Sequence, residues 1–252
     1  MNWQELYAWV VRAYLGLAVV VFLVLLRLPA GYGRHGGRRW GPALAARPAW
    51  VLMESPAILA TILFFLVGRP FQHATAWVFL ALWLTHYGYR TLVYPFLIRS
   101  GNPVPVVVVA MGFLFNVGNA FLNGGGLFLV HEPRPVEWLR DPRFLLGLVL
   151  FLGGLATHVH SDHILRNLRA PGETGYRIPR GGLFRWVTSP NYLGEWVQWT
   201  GWAILTWSVG GLVFSIWTAA NLFPRAVAHH AWYRDRFPDY PPDRRAILPG
   251  IW

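Results

Sequence analysis

VPVVVVAMGFLFNVGNAFLNGGGLFLV, residues Val104 to Val130, runs its whole length without one charged side chain. It exceeds the roughly 20 apolar residues that an α-helix needs to cross the hydrocarbon core of a bilayer. The stretch therefore reads as a membrane span, and others flank it: Tyr7 to Leu28, Val51 to Val67, Ala74 to Ile98 and Phe144 to Leu165. Tyr192 to Val227 is long enough for two helices turning at Ser208 to Gly211. The pattern predicts an all-α integral membrane protein of seven spans, with six as the alternative count, forming one domain over residues 1–252.

Composition agrees. The chain is 55% hydrophobic and 13% charged, where a soluble domain carries charge on about 25% of its residues. Fifteen Trp, sixteen Phe and ten Tyr exclude a disordered chain, because such chains lack the aromatic groups that drive burial. The absence of Cys excludes disulfides, thiol nucleophiles and iron–sulfur clusters. All 22 basic residues are Arg, so amine-based covalent chemistry is excluded as well. The planar guanidinium, by contrast, suits phosphate oxygens.

Charge also predicts orientation, since short cytoplasmic loops collect Arg. Arg27, Arg34, Arg38, Arg39 and Arg47 follow the first span, and Arg166, Arg169, Arg177, Arg180 and Arg185 follow the fifth. Arg225, Arg234, Arg236, Arg244 and Arg245 follow the last. The opposite side carries Arg12, Arg69 and a segment, His131 to Arg143, whose arginines are offset by Glu132, Glu137 and Asp141. This places the amino terminus outside and the carboxy terminus in the cytoplasm. Met1 to Trp9 has no basic segment of the kind that opens a signal peptide.

An ionisable side chain in a bilayer costs about 2.5–3.5 kcal/mol on insertion scales, so each one is a functional candidate. Glu54 lies in the second span, with Pro56 placing it near a helix start. On the third span Tyr87, Arg90 and Tyr94 share one face, beside His86. Asn116, Asn119 and Asn123 form a polar stripe on the fourth, of the type that holds helices together. His158, Asp162, Arg166 and Arg169 make a polar face running out of the fifth span. Asn191 with Glu195, and His229 with Tyr233, repeat the i, i+4 pattern. A Gly-rich loop, Arg177 to Gly182, joins these helix ends on the Arg-rich side, where its backbone N–H groups can approach phosphates.

His158-Val159-His160-Ser161-Asp162-His163 imitates the metal-ligand string of the metallo-beta-lactamase-like hydrolases. That chemistry needs the string in a loop after a strand, whereas here it continues an apolar run that reads as helix, so no metal is expected.

Longer strings carry a resemblance. His86-Tyr87-x-x-Arg90-Thr91, His160-Ser161-Asp162-x-Ile164-Leu165-Arg166-x-Leu168 and Tyr176-Arg177-Ile178-Pro179-x-Gly181-Gly182-Leu183-Phe184 resemble the steroid 5-alpha-reductase family. Asn191-Tyr192-Leu193-Gly194-Glu195 and His229-His230-x-x-Tyr233 do so too. The likeness runs from about Leu84 to Trp252, with Glu54 the main point before it, in a bacterial-type member. It implies a seven-helix membrane enzyme of steroid metabolism that uses NADPH to reduce the delta-4 double bond of a 3-oxo-delta-4 steroid. The partners it implies are a hydrophobic enone and membrane lipids, with no nucleic acid, at a bacterial inner membrane with the cofactor facing the cytoplasm.

Carried over by residue, the resemblance assigns cofactor binding to Arg90, Arg99, His158, Asp162, Arg166, Arg169, Tyr176, Arg177, Asn191, Glu195, His229 and Tyr233. Glu54 and Tyr87 then hold the ketone oxygen. Hydride added at the enone beta carbon pushes charge onto that oxygen, which donors stabilise. Glu54 donates only when protonated, so it is expected neutral or sharing a proton with Tyr87. Met53 stands where animal members have Gln, and His158 where they can have Asn. The architecture is also that of sterol double-bond reductases and of membrane methyltransferases. A methyltransferase, a reductase of another lipid enone and a lipid-binding or transport protein stay open as alternatives here.

Overall fold

The computed structural model describes residues 2–28, 41–98, 102–169, 173 and 175–250. These are mostly helical. α1 spans Trp3–Arg27, α2 Ala46–Gly68, and α3 Ala74–Gly88, which continues as a π-helix over Tyr89–Val93 and a last turn over Tyr94–Leu97. α4 spans Val106–Ala120 and widens into a long π-helix, Phe121–Val130. α5 covers Pro142–Arg166, α6 Pro190–Thr206 and α7 Val209–Arg236. Two-residue strands β1, Ala43–Leu44, and β2, Val104–Pro105, pair antiparallel and tie the start of α2 to the start of α4.

Among the described residues four helices are long and apolar enough to cross a membrane: α1, α2, α4 with its π extension, and α5. The third apolar stretch runs on unbroken to Leu97 but carries His86 and Arg90, and the sixth gives a shorter rod, because α6 stops at Trp207, a residue with positive φ. That break falls at the foot of the turn expected near Ser208.

α2 begins earlier than its sequence suggests. Its first residue is Ala46, so Glu54 and Pro56 lie inside the helix rather than near its start. Proline has no N–H for the carbonyl four residues back. Here the Ser55 hydroxyl donates to that carbonyl, Leu52 O, at 3.3 Å.

The core is aromatic. Trp83 of α3, Phe151 of α5, Trp199 and Trp202 of α6 and Phe214 of α7 interlock as one cluster, and the Trp83 indole donates to Ala57 O of α2 at 2.8 Å. The outside is apolar too: Leu114 is 68% exposed and Val149 69%. Such surface is a liability in water and is what lipid tails require.

α5 and α6 pack backbone to backbone. A Cβ at Gly154 would fall 2.4 Å from Gln198 N, and one at Gly201 would fall 2.4 Å from Phe151 N. Glycine at such crossings lets helices approach as closely as their main chains allow. Gly154→Ala or Gly201→Ala is therefore expected to cost about 1–3 kcal/mol through overpacking, read as a lowered Tm in detergent. Gly153→Ala, which meets nothing within 4 Å, should leave Tm unchanged. Equal effects at Gly153 and Gly154 would discount the close approach.

Asp141 caps α5, accepting from Arg143 N at 2.8 Å while pairing with the Arg143 guanidinium. The side-chain hydrogen bond from Arg143, followed by its backbone N–H, lowers the carboxyl to about 2. A depressed acid stabilises the fold above its unfolded value and loses that contribution as pH falls through the folded one. Unfolding followed in detergent should accordingly show no Asp141-dependent change above pH 5, and Asp141→Ala should differ least from the parent near pH 2.

The carboxy-terminal segment returns to the start of α6. Thr188 N donates to Arg245 O at 2.8 Å, Ser189 N to Ala246 O at 3.2 Å, and Arg245 N to Trp186 O at 2.9 Å. This strap fixes the residues immediately before α6.

Candidate active site

Glu54 and Arg90 face each other from α2 and the π turn of α3. Arg90 Nη2 donates to Glu54 Oε1 at 3.1 Å, with each side chain 11% exposed. The guanidinium lies over the Trp50 ring, 4.6 Å from its centroid, and 4.9 Å from that of Tyr94. Asn116 Nδ2 reaches Met53 O at 2.8 Å and approaches Glu54 Oε2 at 3.5 Å. A buried pair of this kind holds its charges only because further groups satisfy them.

Arg90, expected among the cofactor-binding residues, engages Glu54. Glu54 and Tyr87, for their part, share no hydrogen bond among the described residues: Tyr87 Oη accepts from Asn119 Nδ2 at 2.8 Å. Arg90 itself lies in the π-helical turn that follows Tyr87.

From Tyr87 the site continues inward through His86. The two rings lie 4.9 Å apart, and the His86 ring is 6.2 Å from that of His158. His86 Nδ1 contacts Gln198 Oε1 at 3.1 Å, and its ring packs 4.5 Å from Trp199. His158 sits where α5 and α6 converge: Nδ1 is 3.2 Å from Asn191 O and 3.8 Å from Glu195 Oε2, and Nε2 is 3.6 Å from Asp162 Oδ2. Asn191 Nδ2 completes the cluster by donating to Asp162 Oδ1 at 3.2 Å. The glycine contacts of α5 and α6 bring these residues together, since Gly194 lies against the backbone of His158.

The other expected residues make contacts of their own. Arg166 Nη1 donates to Tyr89 Oη at 3.1 Å, and Arg169 Nη1 to Gly175 O at 3.1 Å. Arg177 pairs with Glu173, and Tyr176 packs edge-on against Trp232. His229 lies beside Tyr192, while Tyr233 stacks on Phe237 and Tyr240. Gly181 and Gly182 have φ of +92° and +48°, and a Cβ at Gly182 would meet His160 Cε1 at 2.8 Å. The positive φ at both favours glycine. Arg99, also expected here, lies outside the described residues.

The sequence reading missed Gln198 as a partner of His86. The signal was present: Asn191, Glu195, Gln198 and Trp202 fall at i, i+4, i+7 and i+11, one face of α6. The H-x-H-x-D-H string lies within α5, as expected.

A separate cavity of about 320 Å³ opens at the opposite end of the bundle, among Thr75, Phe79, His131, Arg134 and Trp207. Two bonds cross its wall: Thr75 donates to Arg134 O, and Arg134 to Trp207 O. It is remote from the ionisable cluster.

A family model described as 3-oxo-5-alpha-steroid 4-dehydrogenase matches residues 102–252. The chain is 42% identical over 247 residues to 3-oxo-5-alpha-steroid 4-dehydrogenase 1 of Bos taurus, covering 95% of each chain. It is 43% identical over 245 residues to the protein of the same name from Homo sapiens, covering 95% of this chain and 94% of that one. It is 39% identical over 241 residues to steroid 5-alpha-reductase DET2 of Gossypium hirsutum, covering 94% and 93%.

Proposed function

Because the chain belongs to the steroid 5-alpha-reductase family of oxidoreductases, we propose that it is an NADPH-dependent reductase of the delta-4 double bond in 3-oxo-delta-4 steroids, giving 5-alpha-dihydro products. The observation that supports this most directly is the continuity from Tyr87 through His86 to His158. It sets a phenol able to hold a ketone oxygen beside a polar cluster able to hold a nicotinamide.

The residues fit that cofactor. Gln198 Nε2 and His158 Nε2 are buried without a hydrogen-bond partner, and a buried unmatched polar atom is costly unless a ligand satisfies it. The carboxylates of Asp162 and Glu195 and the amide of Asn191 suit ribose hydroxyls and a carboxamide. Arg166, Arg169 and Arg177 lie at the outer end, where guanidinium forks suit phosphate oxygens. When bound, NADPH supplies the hydride.

The chain's own part is binding, orientation and charge stabilisation. Negative charge accumulates on the ketone oxygen as the beta carbon receives hydride, and the Tyr87 hydroxyl stabilises it by donating a hydrogen bond. Glu54 is the second group proposed for the ketone oxygen. It donates to the oxygen only when protonated, and its other oxygen can then still accept from Arg90. The aromatic cluster around Trp83 and Trp199 excludes water, which strengthens each of these interactions.

The same reading has seven spans, an outside amino terminus and an Arg-rich cofactor side facing the cytoplasm of a bacterial inner membrane. The positive-inside distribution of arginine supports that orientation. Purified protein in detergent should oxidise NADPH in proportion to added progesterone or androstenedione, with the dihydro-steroid identified by mass spectrometry and NADH much less effective. NADPH binding without steroid-dependent turnover would reject steroids as the substrate. Folded protein that does not bind NADPH would reject the cofactor.

A further inference from the structure

Two of the three asparagines, Asn119 and Asn123, are more than interhelical contacts. Trp202 Nε1 donates to Asn123 Oδ1 at 2.8 Å, Asn123 Nδ2 to Asn119 Oδ1 at 2.9 Å, and Asn119 Nδ2 to Tyr87 Oη at 2.8 Å. All four side chains are buried, Asn119 and Asn123 completely. The bonds connect α6, the π-helical end of α4, its α-helical part and α3.

The direction of this chain is forced by chemistry. An amide can present oxygen or nitrogen to a neighbour, but an indole N–H can only donate. Trp202 therefore requires the Asn123 oxygen, which turns the Asn123 nitrogen to Asn119. There it meets both the backbone carbonyl, at 3.2 Å, and the side-chain oxygen of Asn119, which leaves the Asn119 nitrogen for Tyr87. Tyr87 Oη must then accept from Asn119, and its proton is free for another acceptor. Aligned bonds of this sort polarise one another, most strongly where water is excluded.

We propose that Trp202, Asn123 and Asn119 are positioning residues forming a one-way hydrogen-bond relay, which keeps the Tyr87 hydroxyl as a donor to the substrate ketone and strengthens that donation as charge develops on the oxygen. The inference rests on the reading of Tyr87 as the ketone-binding group. It gives the asparagine stripe a task in the reaction: the relay supplies N–H dipoles that follow the charge, without a titratable group of its own.

Two substitutions test it. Asn119→Asp keeps the shape but cannot donate to Tyr87, and instead draws the phenolic proton away from the substrate. Trp202→Phe removes the donor that orients the chain while keeping an aromatic ring. Each is expected to lower kcat about tenfold or more, with KM changed by less than about threefold. The infrared carbonyl band of a bound enone labelled with ¹³C at C3 should shift towards its unbonded frequency in both. Combined with Tyr87→Phe, neither should reduce turnover further than Tyr87→Phe alone, since residues acting through one group are not additive.

Unchanged kcat and carbonyl frequency in Trp202→Phe, in protein that retains its Tm, would overturn the relay. So would losses that multiply fully with that of Tyr87→Phe, because they would mark packing. If Asn119→Asp fails to fold, Trp202→Phe decides. Full turnover by Tyr87→Phe itself would overturn the reading of Tyr87 and the relay together, whereas impaired Tyr87→Phe beside an unaffected Trp202→Phe overturns the relay alone.

Discussion

Tyr87→Phe is expected to lower kcat for a 3-oxo-delta-4 steroid by about 10²–10³, the loss typical of removing one donor to a developing oxyanion. The substitution removes a single oxygen from a side chain that is 3% exposed, and the ring keeps its contacts with Trp83 and Trp199. The loss should therefore fall on turnover. NADPH affinity, measured by fluorescence of the bound cofactor, should stay near that of the parent, since the hydroxyl contacts Asn119 and not the His158 cluster. A loss in kcat below tenfold, or one carried by cofactor affinity, would remove Tyr87 from the role assigned to it.

Arg90→Ala should have the largest effect on stability. It leaves the Glu54 carboxylate buried with only the amide of Asn116 at 3.5 Å, and breaking one side of a buried ion pair costs about 3–5 kcal/mol. It also removes the cation that lies over Trp50 and Tyr94, worth about a further 0.5–2 kcal/mol. Tm in detergent should fall steeply. Adding Glu54→Gln to Arg90→Ala should recover most of the deficit, because the stranded charge is then gone. A double variant no more stable than Arg90→Ala would show that the aromatic stacking, rather than the ion pair, dominates at this position.

The helices were legible because long apolar runs have few alternatives, and Val104 to Val130 predicted its rod to within a few residues. The long strings after Leu84 carried the family, which the comparisons bear out. What the sequence could not express was local departure from regular helix. The π turn at Tyr89–Val93 obeys no 3.6-residue period, and the spacing could not say that Tyr87 bonds Asn119 while Arg90 bonds Glu54. The start of α2 was misplaced because Pro56 is a common first-turn residue, and only the Ser55 hydroxyl reveals how an interior proline is accommodated. The asparagine stripe was seen, but its spacing suits mutual helix contact and a directed chain alike. The indole of Trp202 decides between them, and it lies far away in sequence.

The strap that joins Thr188 and Ser189 to Arg245 and Ala246 has a bearing on how the molecule comes into being. Thr188 and Arg245 stand 57 residues apart, with α6 and α7 between them. During synthesis, α1 to α5 can enter the bilayer before the strap exists. The segment that leads into Asn191 and Glu195 gains its last backbone partners only when the carboxy-terminal residues have been made. A chain interrupted before Arg245 would lack the partners that hold Thr188 and Ser189 in front of α6.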